Sequence, residues 1–232
     1  MKKLFEKHET LFCLGLIALY IGVNSFCMQN FGVADARSAL VNTLFSLMLL
    51  ALTFKLNRVS FYGLKKAENP KKYLYFLPLA LIVSVNLWGG VHINHTAGQI
   101  LFHILNMLNV GFIEEIIFRG YLFKMMAKDN VKVAILVRSL TFGIGHMVNL
   151  LNGAAFVPTL LQVFYATAIG YLLVIIFHKS KSLIPCILTH SLTNALSIFN
   201  EENFVSTYVA PVFLIVFPIL YALYIQRKES RL

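Results

Sequence analysis

The stretch ILFHILNMLNVGFIEEIIFRGYLFKMMA, residues 100–127, is long and apolar enough to cross a membrane. A hydrocarbon core about 30 Å thick requires roughly 20 apolar residues in a helix. Three charged residues nevertheless lie within it, Glu114, Glu115 and Arg119. An ionisable side chain at this depth costs about 2.5–3.5 kcal/mol even on the mild insertion scale, so such groups usually face a bundle interior and mark a site. This segment therefore predicts both a membrane fold and a buried polar site.

The composition of the whole chain is typical of a membrane protein. Of its 232 residues, 58% are hydrophobic and 13% are charged, whereas soluble domains average about 45–50% apolar and about 25% charged residues. The net charge is +10, but the basic residues lie in short segments between apolar runs and do not form the basic face of a soluble nucleic-acid-binding module. We therefore predict membrane lipids as partners and no nucleic acid.

Eight apolar segments are long enough to be membrane spans. Most of the 20 Lys and Arg residues lie in alternate connections between them. Because cytoplasmic loops attract Lys and Arg, we predict that both termini are cytoplasmic. The expected fold is an all-α polytopic membrane helix bundle of about eight transmembrane helices, and the short loops and compact length suggest a bacterial cell membrane. The predicted spans are 11–28, 39–56, 73–91, 100–127, 132–150, 157–178, 183–199 and 205–225.

Helical spacing places the three charged residues of the span 100–127 on two different faces of the helix. Glu115 and Arg119 are four residues apart, so they lie on one face and can pair. Glu114 is rotated by about 100° from Glu115 and needs a partner on another helix. A purely architectural ion pair between helices is the competing interpretation. Arg138, in the span 132–150, is expected to extend toward the cytoplasmic face.

Two further spans contain polar side chains at helical spacing. Phe142 and His146 are four residues apart, and so are His190 and Asn194. At about 1.5 Å of rise per residue, the depths of these groups permit a site shared with Glu114. The set contains a carboxylate, two imidazoles and a carboxamide on three different spans.

The residues alone leave two chemistries open. A carboxylate and an imidazole facing one water can deprotonate it and later protonate a leaving amine, while His and Asn side chains can donate hydrogen bonds to the oxyanion. Alternatively, Glu114, His146 and His190 could bind a divalent metal such as zinc, with an open position for water. The cofactor is thus predicted to be either none or a divalent metal.

Three motifs in chain order resemble those of the CAAX-protease and bacteriocin-processing (CPBP, or Abi) family of intramembrane proteases. The resemblance covers roughly residues 100–199. The motifs are Glu114-Glu115-x-x-x-Arg119, Phe142-x-x-x-His146 and His190-x-x-x-Asn194.

The resemblance implies that the chain hydrolyses a peptide bond within the membrane. It implies that Glu114 and His146 activate water and that His190 and Asn194 stabilise the oxyanion. The residues with a supporting role are then Glu115, Arg119 and Phe142. Members of this family are described both as metalloproteases and as metal-free glutamate proteases, and we favour the metal-free form.

The resemblance also predicts a division of the chain and a class of substrate. Residues 1–99 would hold the first three spans, residues 100–199 the catalytic core, and residues 200–232 the last span and a basic tail.

The substrate is expected to be a peptide or protein, such as a bacteriocin or signalling-peptide precursor. The alternatives are a bacteriocin self-immunity or resistance protein and a non-catalytic membrane scaffold. A transporter is disfavoured because paired broken helices in matching halves are absent.

Overall fold

The computed structural model describes residue 5, residues 7–68 and residues 76–229. Within these residues the chain forms helices and no β-strand, apart from one isolated bridge between Val91 and Asn200. The main helices are α1 Glu9–Asn30, α2 Ala36–Lys55, α3 Leu79–Ser84, α4 Ala97–Glu114, α5 Val131–Gly145, α6 Phe156–Ser180, α7 Ile184–Leu196 and α8 Ala210–Glu229.

In the part of the chain that the structure describes, six helical segments are long and apolar enough to cross a membrane. Each coincides with one of the predicted spans, which confirms an all-α polytopic bundle. These segments are Glu9–Asn30, Ala36–Lys55, Ala97–Met126, Val131–Leu151, Phe156–Ser180 and Val205–Lys228.

The two other predicted spans, 73–91 and 183–199, are shorter helical segments in the described residues. Residues 73–75 lie outside the described part; beyond them, α3 has 6 residues and passes into the 3₁₀ turn Val85–Leu87. The segment Ile184–Phe199 consists of α7 and a 3₁₀ turn, and it measures about 24 Å at 1.5 Å per residue. Pro78 and Pro185, at the starts of α3 and α7, explain why neither helix extends further back.

Glycines allow the helices that carry the predicted site to approach closely. A Cβ atom added to Gly111 of α4 would lie 2.6 Å from the Cα atom of Ser191 on α7. One added to Gly143 of α5 would lie 2.5 Å from the carbonyl oxygen of Val163 on α6. Small residues of this kind permit backbone contact where no hydrophobic effect drives helices together. The contact at Gly111 brings Glu114 next to the helix that carries His190.

The helix after Glu114 changes its winding. Glu115–Phe123 forms a π-helix of 9 residues, which continues into the short helix Lys124–Met126. π-Helical segments are rare and are frequently found at functional sites. Here the segment carries both Glu115 and Arg119.

The close approach at Gly111 generates a stability prediction. Replacing Gly111 with Ala should destabilise the fold by about 1–3 kcal/mol, because the added methyl group forces α4 and α7 apart. Gly98→Ala is the matched control, since Gly98 lies on the same helix with nothing within 4 Å of a Cβ atom. Thermal unfolding in detergent micelles measures both changes. Equal melting temperatures for the two variants would contradict the packing described here.

Candidate active site

Glu115 lies at the centre of a buried polar cluster. Its side chain is 0% exposed, and its Oε1 atom accepts hydrogen bonds from Arg119 Nη1 and from His190 Nδ1, the latter at 2.9 Å. Arg119 is also 0% exposed and donates to the carbonyl oxygen of Gly170 at 3.5 Å. The ion pair expected from helical spacing is therefore present, and it is joined by an imidazole from α7.

Glu114 has its partners on two other helices. Its Oε1 atom accepts a hydrogen bond of 2.7 Å from the hydroxyl of Tyr20 on α1. Its Oε2 atom lies 3.7 Å from His190 Nε2, and its side chain is 15% exposed. Glu114 is thus oriented by α1 and α7 while one oxygen remains accessible. Sequence analysis missed Tyr20, because a tyrosine in an apolar span carries no local sign of which helix it will face.

Phe142 lies between the two imidazoles of the predicted site. Its ring is edge-on to His146 and His190, with centroids 5.5 Å and 5.2 Å apart, and the Arg119 guanidinium lies 5.1 Å from its centre. No described residue forms a hydrogen bond with the His146 ring or with the Asn194 carboxamide. These two groups are therefore available to a ligand.

A cavity of about 370 Å³ joins these side chains. Its volume lies near the lower end of the roughly 300–1,000 Å³ typical of ligand sites. A smaller crevice of about 80 Å³, between α1 and α5, also reaches Glu114 and His146. The predicted site residues that line the large cavity are Glu114, Phe142, His146, His190 and Asn194.

The expectation that Arg138 extends toward the cytoplasmic face was wrong. Arg138 is 0% exposed, and its guanidinium lies over the rings of Phe118 and Phe142, at 4.8 Å and 4.5 Å. None of its three guanidinium nitrogens has a hydrogen-bond partner in the described part of the chain. The reason is orientation: this face of α5 packs inward, against Phe118 and Phe142, and does not point toward lipid.

His103 is a second cavity residue that sequence analysis left without a role. It is buried on α4, and its Nε2 atom lies 3.2 Å from Ser197 Oγ and 3.4 Å from the carbonyl oxygen of Asn194. It lines the same cavity as Glu114. The sequence could have identified His103 by its position, because it lies three helical turns before Glu114 on the same apolar helix.

The predicted metal ligands do not form a metal centre in this arrangement. Among the described residues, no group of three or more His, Cys, Asp or Glu side chains is placed to hold a metal ion. The bond from His190 Nδ1 to Glu115 is one that a metal-bound imidazole also makes, and it leaves Nε2 as a possible ligand. The spacing of Glu114, His146 and His190 in the described residues is nevertheless not that of a three-ligand zinc site.

The ion pair generates a second stability prediction. Arg119→Met should destabilise the protein by about 3–5 kcal/mol, because it leaves the Glu115 carboxylate buried without its cation. The double variant Glu115→Gln/Arg119→Met removes both charges and should recover most of that loss. Unfolding of the single and double variants in detergent, analysed as a double-mutant cycle, measures the coupling. Losses that simply add would show that the two side chains do not act as a pair.

Comparison with known proteins supports the predicted family. Residues 96–196 match the family model described as type II CAAX prenyl endopeptidase Rce1-like. No curated protein and no solved structure gives a match. The matched segment contains all three motifs, in agreement with the CPBP resemblance, and supports a CAAX-type intramembrane protease with a peptide or protein substrate. The chain is a multi-pass membrane protein whose residues 96–196 match the Rce1-like family model, which is consistent with the CPBP family.

Proposed function

We propose that this protein is an endopeptidase that hydrolyses a peptide bond of a membrane-associated peptide or protein with water activated at Glu114. The observation that carries the proposal is the contrast between two adjacent carboxylates. Glu115 is fully buried and bound to Arg119 and His190, whereas Glu114 borders the cavity. A general base must reach the proton that it abstracts, so Glu114 meets this requirement and Glu115 does not.

The first step is the attack of water on the carbonyl carbon of the substrate. Glu114 takes one proton from the water as the new carbon–oxygen bond forms, and the carbonyl oxygen becomes an oxyanion. Tyr20 holds one carboxylate oxygen of Glu114, which leaves the other to face the water. The unbonded imidazole of His146 borders the same cavity and crevice as Glu114, and it completes the water site.

The oxyanion is stabilised from α7. The Asn194 carboxamide lines the cavity and has NH₂ donors available. His190 lies one turn earlier, and because its Nδ1–H donates to Glu115, the ring can donate to the oxyanion from Nε2 only when that nitrogen also carries a proton. When the tetrahedral intermediate collapses, the carbon–nitrogen bond breaks and Glu114 returns its proton to the leaving amine. Hydrogen-bond donors placed where the negative charge develops contribute strongly to the rate of many acyl-transfer reactions.

The supporting residues keep these groups in position. Arg119 and His190 both bind Glu115 Oε1, so the carboxylate links α4 to α7. Phe142 contacts both imidazole rings edge-on and limits their rotation. Glu114, which borders the cavity, therefore acts as the base, while Glu115, Arg119 and Phe142 hold its surroundings fixed.

The proposed hydrolysis is metal-free and of the glutamate type. The arrangement of Glu114, His146 and His190 supports this choice, because it does not form a metal-binding set among the described residues. The proposed substrates are bacteriocin or signalling-peptide precursors in a bacterial cell membrane.

Replacing the proposed base tests the function. Glu114→Gln preserves the shape of the side chain and the acceptor for Tyr20, but it removes the base, so turnover should fall by about 10²–10⁴. The measurement is quantitative mass spectrometry of membrane and released peptides from cells that express the wild type or the variant at matched levels. Peptides that disappear in the variant are products, and they identify the substrate.

Glu202→Gln is the control, since it makes the same chemical change at an exposed carboxylate in the connection before α8. It should leave the peptide set of the wild type intact. An unchanged peptide set in Glu114→Gln would contradict the protease and leave an immunity or scaffold role. Loss of the products after treatment with a chelator, with recovery on addition of zinc, would contradict the metal-free step alone.

Tyr20 provides a prediction specific to this chain. Tyr20→Phe should lower kcat by about tenfold or more, because a hydrogen bond to a charged group contributes about 1.5–3 kcal/mol. The measurement is turnover, by purified protein in detergent, of the peptide identified with Glu114→Gln. Tyr208→Phe removes a hydroxyl from a residue that is 58% exposed, and it should not change kcat. Equal turnover by the two variants would show that Tyr20 does not orient the base.

A further inference from the structure

A pocket of about 250 Å³ lies where three of the basic connections meet. Its walls come from the connection between α2 and α3, from residues 123–131 before and at the start of α5, and from residues 177–181 at the end of α6. It shares no described residue with the active-site cavity, so the two are separate. We call it the basic pocket, and its principal walls are formed by Phe61, Lys124, Lys128, Phe177, His178 and Lys181.

The basic pocket concentrates positive charge. The ammonium groups of Lys124, Lys128 and Lys181 belong to its lining, and none of its described lining residues is Asp or Glu. The carboxylate of Glu9 forms an ion pair with Lys128, which compensates one of the three charges. A concave surface lined by charges of one sign attracts ligands of the opposite sign. The basic pocket therefore favours an anion.

Lys124 is held in the pocket by aromatic rings. Its side chain is half-buried, and its Nζ atom lies 5.2 Å from the ring centre of Phe61 and 5.3 Å from that of Phe177. No carboxylate among the described residues pairs with it, since Glu68 in the neighbouring connection is paired with Lys65 at 2.7 Å. Contact with ring faces compensates only part of the lost hydration of an ammonium group. An anion in the pocket would supply the rest.

Hydrogen bonds between two connections hold the pocket in shape. The backbone N–H of Leu183 donates to the carbonyl oxygen of Gly63 at 2.7 Å, and Ser182 Oγ donates to that of Lys65 at 2.6 Å. Gly63 has a φ of 80°, and a Cβ atom there would collide with the ring of Phe177. The connection between α2 and α3 is thus fixed against the end of α6. A pocket whose walls are already in place loses little conformational freedom when a ligand binds.

The basic pocket lies at the depth of the lipid headgroups. Lys124 is in the last turn of the span Ala97–Met126, and Lys181 directly follows the span Phe156–Ser180. The end of a span marks the boundary between hydrocarbon and headgroups. Basic pockets between membrane helices on the cytoplasmic side bind the headgroups of anionic lipids, and the basic connections are predicted to be cytoplasmic.

We propose that the basic pocket binds an anionic phosphate group through Lys124 and Lys181, and that this group is the headgroup phosphate of an anionic phospholipid. A free phosphate compound has the same chemistry, but the depth of the pocket favours a lipid. The bound lipid stabilises the folded bundle, because a ligand that binds only the folded state shifts the equilibrium toward it. This site does not depend on the proposed function, since it shares no described residue with the active-site cavity.

Three variants of the full-length protein test the site. Lys124→Met removes the charge and keeps a long unbranched side chain. Lys181→Gly removes the second charge at a position whose φ of 57° suits glycine, so this variant keeps its fold even if Lys124→Met does not. Lys132→Met is the matched control, because Lys132 is an exposed lysine at the start of α5 and lies outside the pocket lining. Each purified protein is titrated in detergent with phosphatidylglycerol and, separately, with phosphatidylcholine, and native mass spectrometry counts the bound lipid.

The wild type should bind phosphatidylglycerol about tenfold or more tightly than phosphatidylcholine, whose headgroup has no net charge. Lys124→Met and Lys181→Gly should each weaken the binding of phosphatidylglycerol by about fivefold, which corresponds to about 1 kcal/mol for one lysine near an anionic membrane surface. Lys132→Met should bind as the wild type does. This pattern supports the proposal.

Three results would overturn the site. Equal binding of phosphatidylglycerol by all four proteins would show a diffuse attraction with no site. Equal binding of the two lipids by the wild type would show that the pocket does not select negative charge. Weaker binding by Lys124→Met alone, with Lys181→Gly unchanged, would place the anion outside the pocket.

Inorganic phosphate distinguishes the two sources of the phosphate group. It is added at millimolar concentration to the wild type saturated with phosphatidylglycerol. Retention of the lipid supports the phospholipid as the ligand. Displacement in the wild type would overturn the lipid as the source and assign the pocket to a free phosphate compound. Neither result depends on proteolysis, so this site and the proposed function can fail separately.

Discussion

The buried carboxylate of Glu115 is the constraint on which the rest of the site depends. A single ionised group in a membrane interior is costly, and it is tolerated when other groups compensate its charge. Arg119 supplies a cation from the same helix, and His190 adds a hydrogen bond from α7. That second bond requires α4 and α7 to approach closely, which the missing side chain at Gly111 permits. Once Glu115 is fixed in this way, the neighbouring Glu114 is turned toward α1 and the cavity.

Four Glu and Arg side chains lie close together around Glu115. They are the carboxylates of Glu114 and Glu115 and the guanidinium groups of Arg119 and Arg138, all within the membrane span of the bundle. Arg138 makes no hydrogen bond there among the described residues, but aromatic rings lie against it on two sides. Contact with a ring face compensates part of the lost hydration of a guanidinium group. An arginine that lacks hydrogen bonds is thus accommodated in the interior by its contacts with two aromatic rings.

The sequence predicted those features that depend on local spacing or on hydropathy. The six long spans follow from apolar runs, and the Glu115–Arg119 pair follows from their separation by four residues. Features that depend on how distant helices rotate against each other were missed. Tyr20 is 94 residues away from Glu114, and nothing within α1 indicates which face packs on α4. The same limit explains Arg138, because snorkelling depends on whether its helix face points toward lipid or toward the bundle.

A hydrolase that spans a membrane must admit water to its base without opening a path for water and ions across the bilayer. Glu115 is 0% exposed, so protein groups alone compensate its charge, and Arg119 and His190 fix its carboxylate. Glu114 borders a cavity of about 370 Å³, and a carboxylate that a water molecule can reach meets the first requirement of a general base. Two adjacent residues of the same type therefore have different surroundings, one enclosed by protein groups and the other open to the cavity.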